Sequence, residues 1–257
     1  MAFKKLIDTL FDKTGVYIGK RPTYKGSANF VIDGLHYGKS FPSANFTPWQ
    51  GDEAFLDIYN LIKKNTLVDI YRCYELWQLV QKINLMDAHA AILEVGVWRG
   101  GTAGIMARQL LLLKSNANLY LADTFEGVAK AGEEDRFYTG GEHKDTSQYI
   151  VEDVLQNKSC YRHYKILKGI FPDDTADRVL VTDAFGLCHI DVDVYASAKD
   201  ILEWVWPKLI IGGVIVFDDY GFHSCTGVTK LVAAYRKLTD RHIIHNLNGH
   251  ALMIKLK

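Results

Sequence analysis

Four cysteines among 257 residues, Cys73, Cys160, Cys188 and Cys225, stand far apart with no Cys-x-x-Cys pair. That is too few for a disulfide scaffold of this length, so the thiols are expected to be reduced, and no structural zinc site is visible in the spacing. Cys188 lies in the apolar run Leu187-Cys188-His189-Ile190, where a small buried hydrophobe fits. Charge of one sign is missing as well: 30 Lys+Arg balance 30 Asp+Glu, for a formal net charge of +0. Without a global field, neither a nucleic-acid backbone nor an anionic membrane surface is an expected partner. Long apolar runs are absent too, since stretches such as Leu209 to Phe217 fall well short of the ~20 residues that a spanning helix needs. The opening Met1-Ala2-Phe3-Lys4-Lys5-Leu6-Ile7-Asp8 turns polar before a secretory apolar core develops, so a cytoplasmic location is expected. No internal repeat or low-complexity tract appears.

What is present is a chain 48% hydrophobic and 23% charged, the balance of a globular protein with one sizeable core. From Ala91 onward, short β-rich runs alternate with helical segments, which predicts an α/β domain with a parallel sheet covered by helices on both faces. The predicted strands are Ala91 to Val95, Leu119 to Asp123, Tyr164 to Lys168, Leu187 to Asp191 and Ile211 to Asp218, near-continuously apolar as strands buried on both sides should be. Helical spacing marks Thr102 to Lys114, Thr146 to Gln156, Ala196 to Trp206 with Pro207 closing it, and about Thr226 to Leu238. Ile243 to Leu247 and Ala251 to Lys257 then flank Asn248-Gly249, a pair that predicts a hairpin with a type I′ turn. A dinucleotide-binding fold would continue with another crossover helix instead. Five parallel strands closed by an antiparallel hairpin resemble the Rossmann-like plan of class I methyltransferases. Residues 1–90 lack this rhythm, with an amphipathic start, a Gly- and Pro-containing stretch from Gly15 to Trp49, and helical runs near Asp52 to Lys64 and Thr66 to Ile83. They are read as an N-terminal cap on a domain spanning 91–257.

Glu94-Val95-Gly96-Val97-Trp98-Arg99-Gly100-Gly101-Thr102 follows the first predicted strand and opens a helix, so its glycines permit a tight turn and close approach of a ligand. The spacing departs from Gly-x-Gly-x-x-Gly, and Glu94 places a negative charge where pyrophosphate needs none. A cationic ligand suits the loop better, and the amino group of S-adenosylmethionine is one. The alternative is a glycine turn that serves packing alone. Asp123, at the carboxyl end of the second strand, is placed to accept hydrogen bonds from the ribose hydroxyls of an adenosine. Asp191 and Asp193 end the fourth strand, Asp218 and Asp219 the fifth, so four carboxylates converge and demand a cation or bound protons. An all-oxygen set without cysteine favours Mg²⁺, with Mn²⁺ or Ca²⁺ as substitutes. Such a metal beside a sulfonium methyl donor would orient a substrate hydroxyl and lower its pKa, favouring methyl transfer to oxygen.

Taken together, Glu94-x-Gly-Val-Trp-Arg-Gly-Gly101, Ala122-Asp123-Thr-Phe-Glu-Gly127, Lys168-Gly169-x-Phe171, Asp191-x-Asp193-x-Tyr195 and Asp218-Asp219-Tyr220-Gly221 resemble the macrocin O-methyltransferase family. The resemblance runs from about Asn65 to Lys237. Those enzymes methylate sugar hydroxyls in antibiotic biosynthesis. The resemblance implies that Asp191, Asp218 and Asp219 bind Mg²⁺ and that Asp193 is the general base. It implies that Glu94 and Gly96 hold the methionine part of the cofactor, Asp123 its ribose, and Gly169 with Phe171 the neighbourhood of adenine. Trp98, Arg99, Gly100, Thr124 and Asp191 join that cofactor set, and Thr66 matches a cofactor-contacting segment loosely. A sugar-containing small molecule is the implied acceptor, and a homo-oligomer the implied assembly. The sequence departs from the family at Val192, where glycine is usual, and at His189, where arginine is common; His189 is read as a satisfied core histidine ahead of a partner for a carboxylate. Phe125 to Asp145 reads as a lid over the acceptor. Within it Tyr138 reads as an exposed aromatic and His143 as a solvated histidine, each with a sugar contact as the alternative. Tyr24, Phe30, Tyr37 and Trp49 offer aromatic faces to a sugar or to a core. The competing functions are a non-catalytic cofactor-binding or scaffold protein, a hydroxylase-type enzyme on the same fold, and, least favoured, a nicotinamide dehydrogenase. No two-histidine, one-carboxylate trio for an iron oxygenase stands out in the sequence.

Overall fold

In the computed structural model, which describes residues 30–38 and 45–257, a small hairpin comes first. β1 (Phe30–Ile32) pairs antiparallel with β2 (Leu35–Tyr37), and Phe30 stacks on Tyr37 with ring centroids 5.6 Å apart. Asp33 and Gly34 both have positive φ (51° and 77°), as a two-residue type I′ turn requires. This hairpin belongs to a unit covering residues 1–41, and the rest of the chain, 42–257, forms a second unit. The amphipathic start and Tyr24 lie outside the described residues.

The second unit begins with two helices, α1 (Glu53–Ile62) and α2 (Ile70–Met86). Asp52 caps the first by accepting the Phe55 N–H at 3.0 Å, and Asp69 caps the second by accepting from Tyr71 and Arg72, so α2 starts four residues later than its apolar spacing suggests. Then follow β3 (Ala91–Val95), α3 (Gly101–Leu112), β4 (Leu119–Asp123), α4 (Gln148–Asp153), β5 (Tyr164–Lys168), β6 (Phe185–Ile190), α5 (Tyr195–Val205), β7 (Leu209–Phe217), α6 (Thr226–Ala234), β8 (Arg241–His245) and β9 (Ala251–Lys255). The sheet order is β5-β4-β3-β6-β7-β9-β8, with β3 to β7 parallel and β9 antiparallel to both of its neighbours. Every residue of β3 and β6 is buried, which explains their near-continuous apolar sequence, interrupted by Glu94 and His189.

Three apolar clusters hold the unit together. Leu93, Cys188, Ile215 and Phe217 face Ile201, Val205 and Leu231 of α5 and α6 on one side of the sheet. Ile92, Leu121 and Val216 face Leu76, Val80, Met106 and Leu110 of α2 and α3 on the other. Phe55, Ile58, Ile62, Cys73, Trp77 and Ile105 form a third layer between α1 and these helices. Trp49 packs edge-on against Tyr71 at 5.0 Å, so its ring serves the packing. No helix among the described residues is long and apolar enough to cross a membrane.

The hairpin turn differs from expectation. Gly249 (φ 106°) has positive φ but Asn248 does not, and the strands separate over Asn246 to His250, with the Asn246 N–H donating to the His250 carbonyl at 2.9 Å. The Asn248 side chain accepts the His250 N–H at 3.0 Å, a local bond that replaces the type I′ geometry.

Candidate active site

The strand order turns about β3 and β6, whose chain continuations leave in opposite directions, and open α/β sheets bind ligands at the carboxyl edge of such a switch point. A cavity of about 280 Å³ lies there, and its wall includes Thr66, Gly96, Trp98, Asp123, Thr124, Gly169, Phe171, Asp191, Asp193, Asp218 and Asp219. Glu94, Arg99 and Gly100 are not in that wall.

The loop after β3 is shaped by two devices. At Gly96 (φ 88°) a Cβ would stand 1.7 Å from the Asp191 carbonyl oxygen, so the ends of β3 and β6 approach closely only with glycine there. Asp123, at the tip of β4, accepts the N–H groups of Val97 at 2.7 Å, Trp98 at 2.8 Å and Phe125 at 2.7 Å. A carboxylate offers about four lone-pair sites, so Asp123 keeps acceptor capacity for a ligand hydroxyl while it fixes the loop. Trp98 donates its indole N–H to Asp145, and Arg99 binds the same aspartate at 2.6 Å and lies over the Trp98 ring. Gly100 has φ 81° and packs beneath Val151. Thr124 donates to the Gly127 carbonyl, Thr66 accepts from the Val68 N–H, and Phe171 is buried edge-on against Trp204.

The carboxylates of Asp191, Asp218 and Asp219 each place an oxygen within 4.8 Å of the other two. Burial, then the charges of its neighbours Asp218 and Asp219, hold Asp191 well above the usual carboxylate range. Asp219 is held high by burial and by Asp193 and Asp218, and burial also raises Asp193. Asp218 goes the other way: burial would raise it, but His189, His250 and Arg72 hold it far below the usual value. Asp193, with φ 66°, sits in a left-handed conformation that a glycine would adopt more readily, and its N–H donates to Asp219 at 2.8 Å.

Several residues here take roles that sequence reasoning ranked second or missed. Tyr138, read as an exposed aromatic, reaches in from the 125–145 loop and donates its hydroxyl to Asp193 Oδ1 at 2.5 Å. His143 Nε2 lies 3.9 Å from Asp193 Oδ2, so this half-exposed imidazole also faces the site. Cys225 Sγ lies 3.7 Å from both Asp193 and Asp219. His189, read as a core histidine, is fully buried with Nδ1 2.8 Å from Glu94 and Nε2 3.6 Å from Asp218. Burial would lower its pKa, but those two carboxylates push it up to about 10, which fits the second reading, a partner for a carboxylate. Arg72 bonds Asp218 Oδ2, and His250 bonds Asp218 Oδ1 at 2.8 Å while its other nitrogen meets Glu75. His189, Asp218 and His250 each place a potential ligand atom within 4.8 Å of the other two, a grouping that the sequence does not display. Its members stand on or next to three strands, β6, β7 and β9, that become neighbours only in the sheet.

A seven-stranded sheet of this order, with a glycine loop and an acid at the first two parallel strand ends, defines the class I methyltransferase fold. Solved structures agree: the O-methyltransferase NovP superposes with a TM-score of 0.64 at 25% identity, covering 75% of this chain and 83% of its own. An O-methyltransferase from Bacillus cereus in complex with SAH shares the fold, with a TM-score of 0.52 at 16% identity over 80% of this chain and 91% of that one. The chain belongs to the macrocin O-methyltransferase family, whose model, described as Macrocin-O-methyltransferase (TylF), matches residues 62–249. Among curated relatives, the 8-demethyl-8-(2,3-dimethoxy-alpha-L-rhamnosyl)-tetracenomycin-C 4'-O-methyltransferase of Streptomyces olivaceus is 29% identical over 63% of this chain, and the match spans 64% of that relative's length. The demethyldecarbamoylnovobiocin O-methyltransferase of Streptomyces niveus is 29% identical over 68% of this chain and 69% of its own.

Proposed function

We propose that this protein transfers the methyl group of S-adenosylmethionine to a sugar hydroxyl of a natural product, nucleotide sugar or glycan, with a divalent cation, Mg²⁺ in the first place, at the carboxylate cluster. One observation carries the reading: the loop fastened by Asp123 and the cluster of Asp191, Asp193, Asp218 and Asp219 open into the same cavity. Family membership and the sugar-modifying names of the relatives support it.

The donor set fits a hard cation. Asp191 is surrounded chiefly by other carboxylates, and Asp219 is likewise held high by its acidic neighbours, a repulsion that a dication relieves. Asp191, Asp218 and Asp219 would hold it. When bound, the sulfonium supplies an electrophilic methyl group and the cation a positive charge that favours the deprotonated hydroxyl. Asp193 accepts the hydroxyl proton on Oδ2, because Tyr138 occupies Oδ1. Tyr138 and the rest of the lid narrow the cavity around the acceptor and exclude water. Asp123 takes the ribose, Gly96 lets the methionine part approach the backbone, and Gly169 and Phe171 flank the adenine. Glu94 acts from behind the wall through His189. A homo-oligomer belongs to the same reading, and light scattering should give a multiple of 29.1 kDa.

The test is calorimetric titration of S-adenosylmethionine and its demethylated product, then Mg²⁺, followed by methyl transfer to a panel of glycosylated acceptors. Wild-type protein should bind each ligand, Asp123→Ala should lose the nucleoside, and Asp193→Asn should bind both but transfer at least about 100-fold more slowly, the lower end for a lost general base. Wild-type protein that binds neither form of the cofactor would leave only the scaffold reading.

A further inference from the structure

We propose that His189, His250 and Asp218 form a site for one imidazole-seeking dication of the zinc class, sharing Asp218 with the all-oxygen cluster but differing from it in ligand chemistry. The inference stands apart from methyl transfer, because it rests on a buried cluster behind the cavity wall. Asp218 lines the cavity, whereas His189 and His250 do not.

All three residues are buried, and one ring nitrogen of each histidine and a carboxylate oxygen lie within 4.8 Å of one another. The separations suit a small ion. Zinc bonds to imidazole and carboxylate are about 2.0–2.2 Å, which in a tetrahedral shell puts ligand atoms roughly 3.3 Å apart. Asp218 Oδ1 stands 3.6 Å from His189 Nε2 and 2.8 Å from His250 Nε2, on either side of that spacing.

Orientation is the second observation. A metal-binding histidine typically commits its other ring nitrogen to a carboxylate or carbonyl, which fixes the ring and its tautomer. Both histidines here do so: His189 Nδ1 meets Glu94 at 2.8 Å, and His250 Nδ1 meets Glu75. Both Nε2 atoms are therefore turned toward Asp218, whose Oδ2 is taken by Arg72 and whose Oδ1 faces the pair.

The third observation is a pair of buried atoms left without a hydrogen bond. His189 Nε2 is buried with no hydrogen-bond partner, as is Glu94 Oε2. Buried polar atoms are rarely left unpaired, and 3.6 Å to Asp218 is too long to satisfy the nitrogen. An ion between the rings gives that nitrogen its partner and displaces its proton. Two imidazoles with one carboxylate favour zinc-class ions over Mg²⁺, which prefers oxygen.

The experiment loads full-length protein, stripped with chelator, with one equivalent of Zn²⁺ and records zinc-edge X-ray absorption. Competition titrations of Zn²⁺ and Mg²⁺ into wild-type, Glu75→Gln and Asp219→Asn protein accompany it. The expected shell contains two imidazoles, with Zn²⁺ held at least about 100-fold more tightly than Mg²⁺. Glu75→Gln, at a partly exposed position, should weaken zinc by about 10–100-fold, while Asp219→Asn leaves zinc within a few-fold of wild type. An oxygen-only shell, no zinc binding, or a zinc affinity that follows Asp219 rather than Glu75 overturns the proposal. The wild-type spectrum alone decides the ligand set even if a variant misfolds. Because no readout is methyl transfer, its failure is distinct from failure of the enzymatic reading.

Discussion

At Gly96 the backbone φ is 88° and an added Cβ would lie 1.7 Å from a main-chain oxygen that no rotamer change can move. Gly96→Ala therefore combines a left-handed penalty of about 1–2 kcal/mol with overpacking of about 1–3 kcal/mol. For a protein of this size that lowers the melting temperature by roughly 4–20 °C, at about 2–4 °C per kcal/mol. Calorimetry should also show Gly132→Ala close to wild type, since nothing lies within 4 Å of a Cβ there. Tyr138 makes a different kind of residue-scale prediction. Tyr138→Phe removes the donor to Asp193 Oδ1 and little packing, so about 1–1.5 kcal/mol of positioning is lost. Steady-state kinetics should show kcat lower by roughly tenfold with KM for S-adenosylmethionine nearly unchanged. A change confined to that KM would instead place Tyr138 in cofactor binding.

Elements were legible where burial was two-sided. β3 and β6 are buried at every position and apolar but for Glu94 and His189, so their runs could belong to little else, and the helices facing them show the matching periodicity. Ends were less legible because local bonds set them: Asp69 begins α2, and the Asn248 side chain reshapes the β8–β9 connection. For the 125–145 loop, length alone suggested a lid but could not give its contacts. Asp135 inside it accepts the Tyr195 N–H at the start of α5, and Lys130 pairs with Asp173 at 2.7 Å and Asp200 at 2.6 Å, all long-range partners. Near Tyr138 the loop is fastened by Glu142, which accepts the N–H groups of Thr139 at 2.8 Å and Gly140 at 2.9 Å. The Thr139 amide is the main reason its carboxyl falls to about 2 from the usual 4.5. A depressed carboxyl stabilises the folded loop above its unfolded pKa and loses that contribution as pH falls through the folded value. Hydrogen exchange should show the Thr139 and Gly140 amides losing protection between pH 4.5 and about 2, and Glu142→Gln should abolish that pH dependence. Protection that is flat across this window would remove Glu142 as the clasp.

Across the whole molecule, the two halves of the site come from opposite sides of the β3–β6 boundary and meet only because the strand order turns there. The acids were legible because they stand at predicted strand tips. Their partners were not: Arg72 and Asp218 are 146 residues apart, and His250 and Glu75 are 175 apart. No local pattern encodes such a meeting; it depends on α2 lying against the sheet and on β9 inserting between β7 and β8. The same arrangement makes ligand-linked stability a test of the assembled site. A ligand that binds only the folded state at 100 times its Kd adds about 2.7 kcal/mol, or roughly 5–11 °C at this chain length. The demethylated cofactor should give such a shift in wild-type protein and in Asp219→Asn, whose lost oxygen lies in the carboxylate cluster, but not in Asp123→Ala. Mg²⁺ should shift wild type and Asp123→Ala but not Asp219→Asn. That crossed pattern in a thermal melt requires two chemically separate subsites in one folded unit. A cofactor shift that disappears with Asp219 and persists without Asp123 would instead assign the nucleoside to the carboxylate half of the cavity.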